Sequence, residues 1–389
     1  MAIGMVPDLV INLNAISHNW LLLNAKLSTR VRCGAVVKAN AYGLGVGPVV
    51  KALVKVGCQD FYVASVREGV QVKTLLDGLT EEYGLVVAEC RVIVFSGCAA
   101  GEELLCMRQR LIPVLVSAEM VHRWFTVVER AGLRHGSVRA ALKVDTGMGR
   151  LGLCDDEYRA LLATPERLRK SGVEMLMSHL ACADQADHPQ NHHQLQRFQT
   201  AYKFLLQKIP EASASLANSA GVLLGRDFHF DAVRPGIALY GGNPQPEVEN
   251  ALKPVVSLRL PVIQVKKLLP GGYLGYGATY QVKAPMKTAV IGGGYADGLL
   301  RAMSGRGVCY VSCRQGGEGW LVPIVGRLSM DSTILDITGV PEGALQVGDR
   351  VEFMGEHIGI DAVANAAGTI AYEILTSLGD RYQRSYLTW

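Results

Sequence analysis

The chain has 389 residues, more than one hydrophobic core usually serves, so two domains are expected. Hydrophobic residues make up 49% and charged residues 19%, which excludes a disordered or fibrous chain; a formal charge of +4 without any Lys/Arg run argues against a nucleic-acid partner. No apolar stretch nears the roughly 20 residues of a membrane helix, so no membrane partner is expected. The opening MAIGMVPDLVINL lacks a signal-peptide pattern, and nine scattered cysteines without a CxxC read as free thiols, so a cytoplasmic protein is expected.

Taken in chain order, VRCGAVV (31–37) is short and β-branched, and residues 48–56 then place Val49, Val50, Leu53 and Val54 at helical spacing, with Gly57 as a C-cap. FYVAS (61–65) is the next strand, with Ser65 placed to N-cap a stretch from Val66. RVIVF (91–95), PVLVS (113–117), VRAALKV (138–144), VEMLMS (173–178) and the stretch around Ser215–Ala217 continue the strands, with helices between them such as 118–131 and 190–207. Seven or eight strand–helix units predict an α/β fold with a parallel sheet, and fit a closed TIM-like (β/α)₈ barrel better than an open one, although periodicity alone leaves a doubly wound sheet open.

After about residue 250 the pattern changes. VVSLRLPVIQVKKL (255–268) alternates, and TAVIGGG, GVCYVS, WLVPIVG, STILDIT and DRVEFMG are short strands broken by glycine turns. A barrel over 12–250 and a C-terminal mostly-β domain over 251–389 are expected, with residues 1–11 joining the second through VINL (10–13).

Barrel enzymes work at the C-terminal ends of their strands. Those positions hold Lys38, Asn40 and Tyr42, then Asp145 and Arg150, then His179, Asn218 and Ser219, then Arg234, Pro235 and Gly236. No pair of strand-end carboxylates suits a glycosidase, and no His/Asp/Glu cluster has metal spacing. A strand-end lysine with basic partners and anion-binding turns suits a Schiff base to pyridoxal phosphate. The Gly236 turn and the Ser219 hydroxyl suit the phosphate, and Arg234 suits the pyridine nitrogen, which a permanently protonated guanidinium would leave unprotonated. Taken singly, each has a plainer reading: Lys38 as a solvated lysine, His179 as a satisfied core histidine, Arg150 and Arg234 as ion-pair arginines, and Tyr276 as an ordinary core or interface tyrosine. GLGVG (43–47) reads as a turn rather than a dinucleotide motif. HPQNHH (188–193) reads as exposed loop and helix histidines, and Cys309 and Cys313 as buried thiols.

VVKANAYGLG, LKVDTGMGRLG, ANSAG, VRPGIALYG, GYGATY, GGGYADG and RLSMDSTILD together resemble the alanine racemases, pyridoxal-phosphate enzymes with a barrel plus a β domain. The resemblance runs nearly end to end in the family's order and spacing. It implies that Lys38 is the cofactor lysine and the base on one face of the substrate Cα, and that Tyr276 is the base on the other face, supplied by the second subunit of a homodimer. A tyrosine is a weak base unless a neighbour helps, and His179 matches the histidine that does so. Tyr42, Ser219, Gly236, Ile237 and Tyr372 match the phosphate-binding set; Arg150 would meet the phenolic oxygen and the substrate carboxylate, and Arg234 the pyridine nitrogen. Met330 would give its backbone N–H to the carboxylate in the partner's site, with Asp331 and Tyr295 at the same entrance. Lys143 matches a lysine that relatives carbamylate.

The implied activity is interconversion of L- and D-alanine, supplying D-alanine for cell-wall peptidoglycan. A racemase of serine or of broader specificity fits the same motifs. A basic amino acid decarboxylase shares the layout but should set an acid where VRPG has Arg234, and a non-enzymatic carrier of the cofactor has no use for GYGATY and RLSMD.

Overall fold

In the computed structural model, residues 6–132, 136–314 and 316–388 are described. The chain divides into two compact units. One comprises Ser17–Leu239 and Pro244–Ala251; the other gathers the N-terminal segment through Ile16, Tyr240–Asn243 and the chain from Leu252 onward.

The first unit is built on parallel strands in sequence order. Ala35–Val36, Asp60–Val63, Arg91–Val94, Ile112–Leu115, Ala140–Lys143, Val173–Met177 and Ser213–Ser215 each pair with the next. Helices on the outside and side chains on the inside cover both faces, so Asp60–Val63 and Ile112–Leu115 are buried at every position. An eighth strand, Ala232–Val233, pairs in parallel with Arg32–Cys33, which the same backbone continues into Ala35–Val36. Val36 N–H donates to Pro235 O (2.9 Å), and on the other side Asp231 N–H donates to Ala214 O (3.0 Å) and Arg234 N–H to Ala217 O (2.9 Å). These bonds close the ring, so the sheet is a TIM-like barrel.

The helices start where the sequence has caps. Ser65 Oγ accepts from Glu68 N–H ahead of Val66–Tyr83, and Ser117 Oγ accepts from Met120 N–H ahead of Ala118–Arg130. The helix expected over 48–56 spans Val46–Lys55, and Gly57 follows it with φ +95°. The strand expected around Ser215–Ala217 lies two residues earlier, because the carbonyls of Leu216 and Ala217 are turned to Arg234 instead of to a strand partner.

At the N-terminal end of the barrel three adjacent strands meet in an ion cluster. Asp60, 1% exposed, is held by Arg32 (Nε–Oδ2 2.8 Å, Nη2–Oδ1 2.7 Å) and by Arg91 through Nε (2.7 Å to Oδ1) and Nη2. Burial pushes the Asp60 carboxyl up, but the hydrogen-bonded Arg91 and Arg32 guanidiniums more than offset it and hold it below the ordinary carboxylate range. Asp60→Ala leaves two guanidiniums without their acceptor and is expected to cost about 3–5 kcal/mol, read from denaturant unfolding. A depressed folded pKa contributes stability above the unfolded carboxylate's value, about 4. That contribution is lost as pH falls through the lower folded value, so the gap between the parent and Asp60→Ala should close in acid.

The second unit is mostly strand. The long strand Val256–Leu268 pairs antiparallel with Asp8–Asn12, Arg350–Met354 and Met286–Gly292, and Met286–Gly292 pairs with Ser332–Asp336. Asp8–Asn12 also takes Gln383–Leu387 in parallel. Two helices not marked in the sequence, Ile360–Ala367 and Ala371–Ser377, interrupt the strands; both are short and alanine-containing, and Gly368 in the left-handed region ends the first. A two-strand hairpin, Tyr273–Leu274 with Tyr280–Gln281, carries Tyr276 at its tip. All nine cysteines are free; Cys309 is buried as expected, whereas Cys313 is only half-buried.

Candidate active site

Lys38 follows the first barrel strand, and the backbone after it turns left-handed. Ala39, Asn40, Ala41 and Tyr42 have φ of 52°, 54°, 53° and 55°, a conformation that costs an L-residue about 1–2 kcal/mol each. The surroundings hold it there. Glu68 accepts from Ala39 N–H (2.8 Å) through one carboxylate oxygen and from Ala64 N–H (2.7 Å) through the other, and Asn40 Oδ1 accepts from Val46 N–H (2.8 Å). The sequence alone assigns Glu68 no role; the Ser-x-x-Glu pattern from Ser65 is the signal that marks it.

The left-handed turn delivers Tyr42 into the barrel wall. Its hydroxyl lies so close to Gly236 that a Cβ there would fall well inside van der Waals contact. Ser219 Oγ accepts from Gly236 N–H (2.8 Å) and Ala238 N–H (3.3 Å), and Asn218 Oδ1 caps the helix Ser219–Leu223 through Gly221 N–H (2.9 Å). Ile237, buried, opens the 3₁₀ turn Ile237–Tyr240, and no protein acceptor among the described residues takes its N–H. Ser219, Gly236, Ile237 and Tyr42 thus converge as a hydroxyl- and N–H-lined cradle of a kind that suits a phosphate. Gly236→Ala is expected to push Tyr42 aside and weaken retention of a phosphorylated cofactor at least about tenfold with the melting temperature little changed, measured by equilibrium dialysis.

Arg234 is 3% exposed. Its Nη1 donates to Ser215 Oγ, and its Nη2 to Ser178 O (2.6 Å) and Leu216 O (3.1 Å), which leaves Nε as the guanidinium nitrogen that the described residues do not engage. Burial lowers its pKa to about 10, so it remains protonated at neutral pH. Around it the cations depress one another. Lys38, half-buried, is lowered by burial and by Arg150, against the pull of Glu68. Lys143 is lowered to about 8 by burial, Arg234 and Arg150, and His179 to about 3 by burial, Arg234, Lys143 and Arg150, which makes it a neutral imidazole. Arg150 sits on a loop bound by Asp145, whose carboxylate accepts from the N–H groups of Gly147, Met148 and Gly149 (2.9 Å each at the shortest). The barrel therefore brings Lys38, Tyr42, Lys143, Arg150, His179, Ser219, Arg234, Gly236 and Ile237 to its C-terminal end.

HPQNHH opens the helix Pro189–Leu206. His188 Nδ1 accepts from Gln190 N–H (3.1 Å) as the N-cap, and His192 and His193 are exposed. The next residue, Gln194, is buried. It donates to His179 O (2.9 Å) and Thr146 Oγ1 (3.2 Å) and accepts from Ala181 N–H (2.9 Å), tying together two of the loops that carry site residues.

In the second unit Tyr276 is 68% exposed on its hairpin tip and Met330 is 53% exposed. The turn is pressed onto Arg327, whose guanidinium lies against Gly277. Tyr295 and Asp331 flank Met330, since Tyr295 N–H donates to Ser329 O (3.1 Å); Tyr372 lies separately, on the helix Ala371–Ser377.

The alanine racemase N-terminal domain model matches residues 11–244, and the C-terminal domain model matches residues 255–386. The chain belongs to the alanine racemase family. Alanine racemases are enzymes that use pyridoxal phosphate. The chain is 42% identical to an alanine racemase of Rhodospirillum rubrum, over 97% of this chain and 95% of that one. It is 40% identical to a catabolic alanine racemase of Agrobacterium fabrum, over 99% and 93%. The crystal structure of the Bartonella henselae alanine racemase with covalently bound pyridoxal phosphate superposes with a TM-score of 0.87 at 35% identity, covering 98% of this chain and 99% of that one.

Proposed function

We propose that this protein interconverts L- and D-alanine with pyridoxal phosphate carried on Lys38, using Lys38 and Tyr276 as bases on opposite faces of Cα. The observation that carries this reading is Arg234. A guanidinium buried at the strand ends, engaged by protein oxygens except at Nε, stands where a decarboxylase of this layout needs an acid.

The residues fit the cofactor. Ser219, Gly236, Ile237 and Tyr42 would hold its phosphate; Arg234 would meet the pyridine nitrogen and Arg150 the phenolic oxygen. Bound there, pyridoxal phosphate supplies an electron-withdrawing ring that acidifies the substrate Cα. Lys38, with its amine pushed toward the unprotonated form, is suited to attack a carbonyl carbon and then to take or return a proton. Arg234, as a cation, would leave the pyridine nitrogen unprotonated and the ring a modest electron sink, which favours return of the proton to Cα. His179, neutral, can accept a hydrogen bond from a tyrosine hydroxyl and support it as a base.

Tyr276 and Met330 are exposed on the single chain, which supports a homodimer in which they complete the other subunit's site, with Tyr295 and Asp331 at its entrance. Lys143, with its pKa lowered to about 8, keeps a substantial fraction of free amine, the form that adds carbon dioxide, and a carbamate there would orient Arg150. No helix among the described residues is long and apolar enough to cross a membrane. The reading places the enzyme in the cytoplasm, making D-alanine for peptidoglycan.

The test is incubation of the holoenzyme with L-alanine, L-serine and L-lysine in D₂O. Deuterium at Cα with loss of optical rotation for alanine is expected. Faster turnover of serine would reassign the substrate, and release of carbon dioxide would overturn the racemase.

A further inference from the structure

The segment that presents Met330 is held from behind by a turn of the same unit, Gly294–Asp297. Tyr295 N–H donates to Ser329 O (3.1 Å) and Ala296 N–H to Met330 O (3.0 Å). A Cβ on Gly294 would collide with both of those carbonyls, so only glycine permits the approach. A trans peptide is planar, with its N–H opposite its C=O. With Ser329 O fixed toward Tyr295, the Met330 N–H of the same peptide is aimed away from the turn. No protein acceptor among the described residues takes it.

Side chains lock the turn. Asp297 Oδ2 accepts from Gly294 N–H (2.9 Å), and Asp297 O accepts from the Tyr382 hydroxyl (2.5 Å) and from Gly379 N–H (3.0 Å). Arg381 then joins turn and segment. Its Nε and Nη2 form a fork to the two Asp297 oxygens (2.8 and 2.9 Å), and its Nη1 reaches Asp331 Oδ1 (2.7 Å), on the residue directly after the donor. A planar guanidinium can bridge two carboxylates in fixed geometry; an ammonium cannot.

We infer that Asp297 and Arg381 are positioning residues for recognition of the substrate carboxylate, fixing the direction of the Met330 N–H and the place of Asp331. This rests on the proposed role of Met330 as the carboxylate donor. Neither residue touches substrate; each acts through the peptide it immobilises.

The test is calorimetric titration of the holoenzyme with propionate, a carboxylate without the amine, beside steady-state kinetics. In Arg381→Met, propionate affinity should fall about tenfold, the size of one misdirected charge-assisted hydrogen bond. KM for alanine should rise in step, with kcat falling much less and the visible cofactor band kept. Arg381→Lys should fall between the two. Asp297→Asn, which keeps an acceptor for Gly294 N–H, serves if Arg381→Met does not fold. Met330→Pro removes the donor itself and separates the two claims. If Met330→Pro weakens propionate binding and Arg381→Met only lowers Tm, the arginine is merely structural and this inference is overturned, with the carboxylate reading intact. If neither weakens it, the carboxylate assignment fails and the inference with it.

Discussion

A Tyr276→Phe holoenzyme in D₂O is expected to exchange the Cα hydrogen of one alanine enantiomer for deuterium while racemising neither. The proposed pair of bases on opposite faces makes the reason direct. The enantiomer whose hydrogen faces Lys38 still loses it to the lysine and regains a solvent deuteron on the same face, so exchange proceeds without inversion. The other enantiomer presents its hydrogen to a phenyl ring and should exchange about 10²–10⁴ times more slowly than in the parent, the usual contribution of a positioned base. Racemisation must fall by the same factor from either side, because mirror images interconvert with an equilibrium constant of one. The asymmetry is therefore visible only in exchange, followed by NMR of each enantiomer with stereochemical analysis. Equal loss of exchange from both would show that Tyr276 is not a one-face base. Tyr276 is well suited to the experiment, since it is exposed at the tip of its own hairpin and its hydroxyl meets no hydrogen-bond partner among the described residues of its own chain.

Arg234→Glu is expected to do two kinds of damage. The first is structural. Ser215 Oγ, Ser178 O and Leu216 O lose their donor, and a carboxylate is buried among acceptors. Unfolding free energy should drop by about 3–5 kcal/mol, unless the glutamate stays protonated. The second is chemical. A carboxylic acid in the place proposed to face the pyridine nitrogen would strengthen the ring as an electron sink, so alanine should leave its amino group on the cofactor and release pyruvate, up to one equivalent per site, where the parent forms almost none. Arg234→Gln, neutral and still a donor, should fall between in stability. An Arg234→Glu protein with unchanged Tm and no added pyruvate would refute both arguments at once.

The strand–helix alternation is legible in the sequence because strands buried on both faces are β-branched runs and helices show their caps, as Ser65 does in front of Glu68. Site positions are legible for a topological reason: barrel chemistry sits after each strand, and Lys38, Arg150, His179, Ser219 and Arg234 all follow one. Other features have no local signal. Nothing in Ala-Asn-Ala-Tyr announces four residues with positive φ, since none is glycine and the conformation is held by Glu68, 29 residues after Ala39. Arg381 and Asp297 are 84 residues apart, and their fork exists only because two turns of the β unit meet. In the sequence Gln194 is one more polar residue beside three histidines, and its burial against His179 O depends on how the helix packs.

By itself, the sequence determined which residue types could do chemistry and in what chain order they arrive, because periodicity and strand ends are local properties of a polymer. It also determined the family, through seven short motifs kept in order. The tertiary structure decided their states. Two lysines, a histidine and two arginines in sequence are ordinary bases and cations. Gathered at one barrel end, out of water and within each other's fields, Lys38 and Lys143 shift toward free amines, His179 becomes neutral, and Arg234 is left with its Nε uncommitted. Desolvation and charge–charge repulsion depend on distances in space, and those distances come only with the closed barrel.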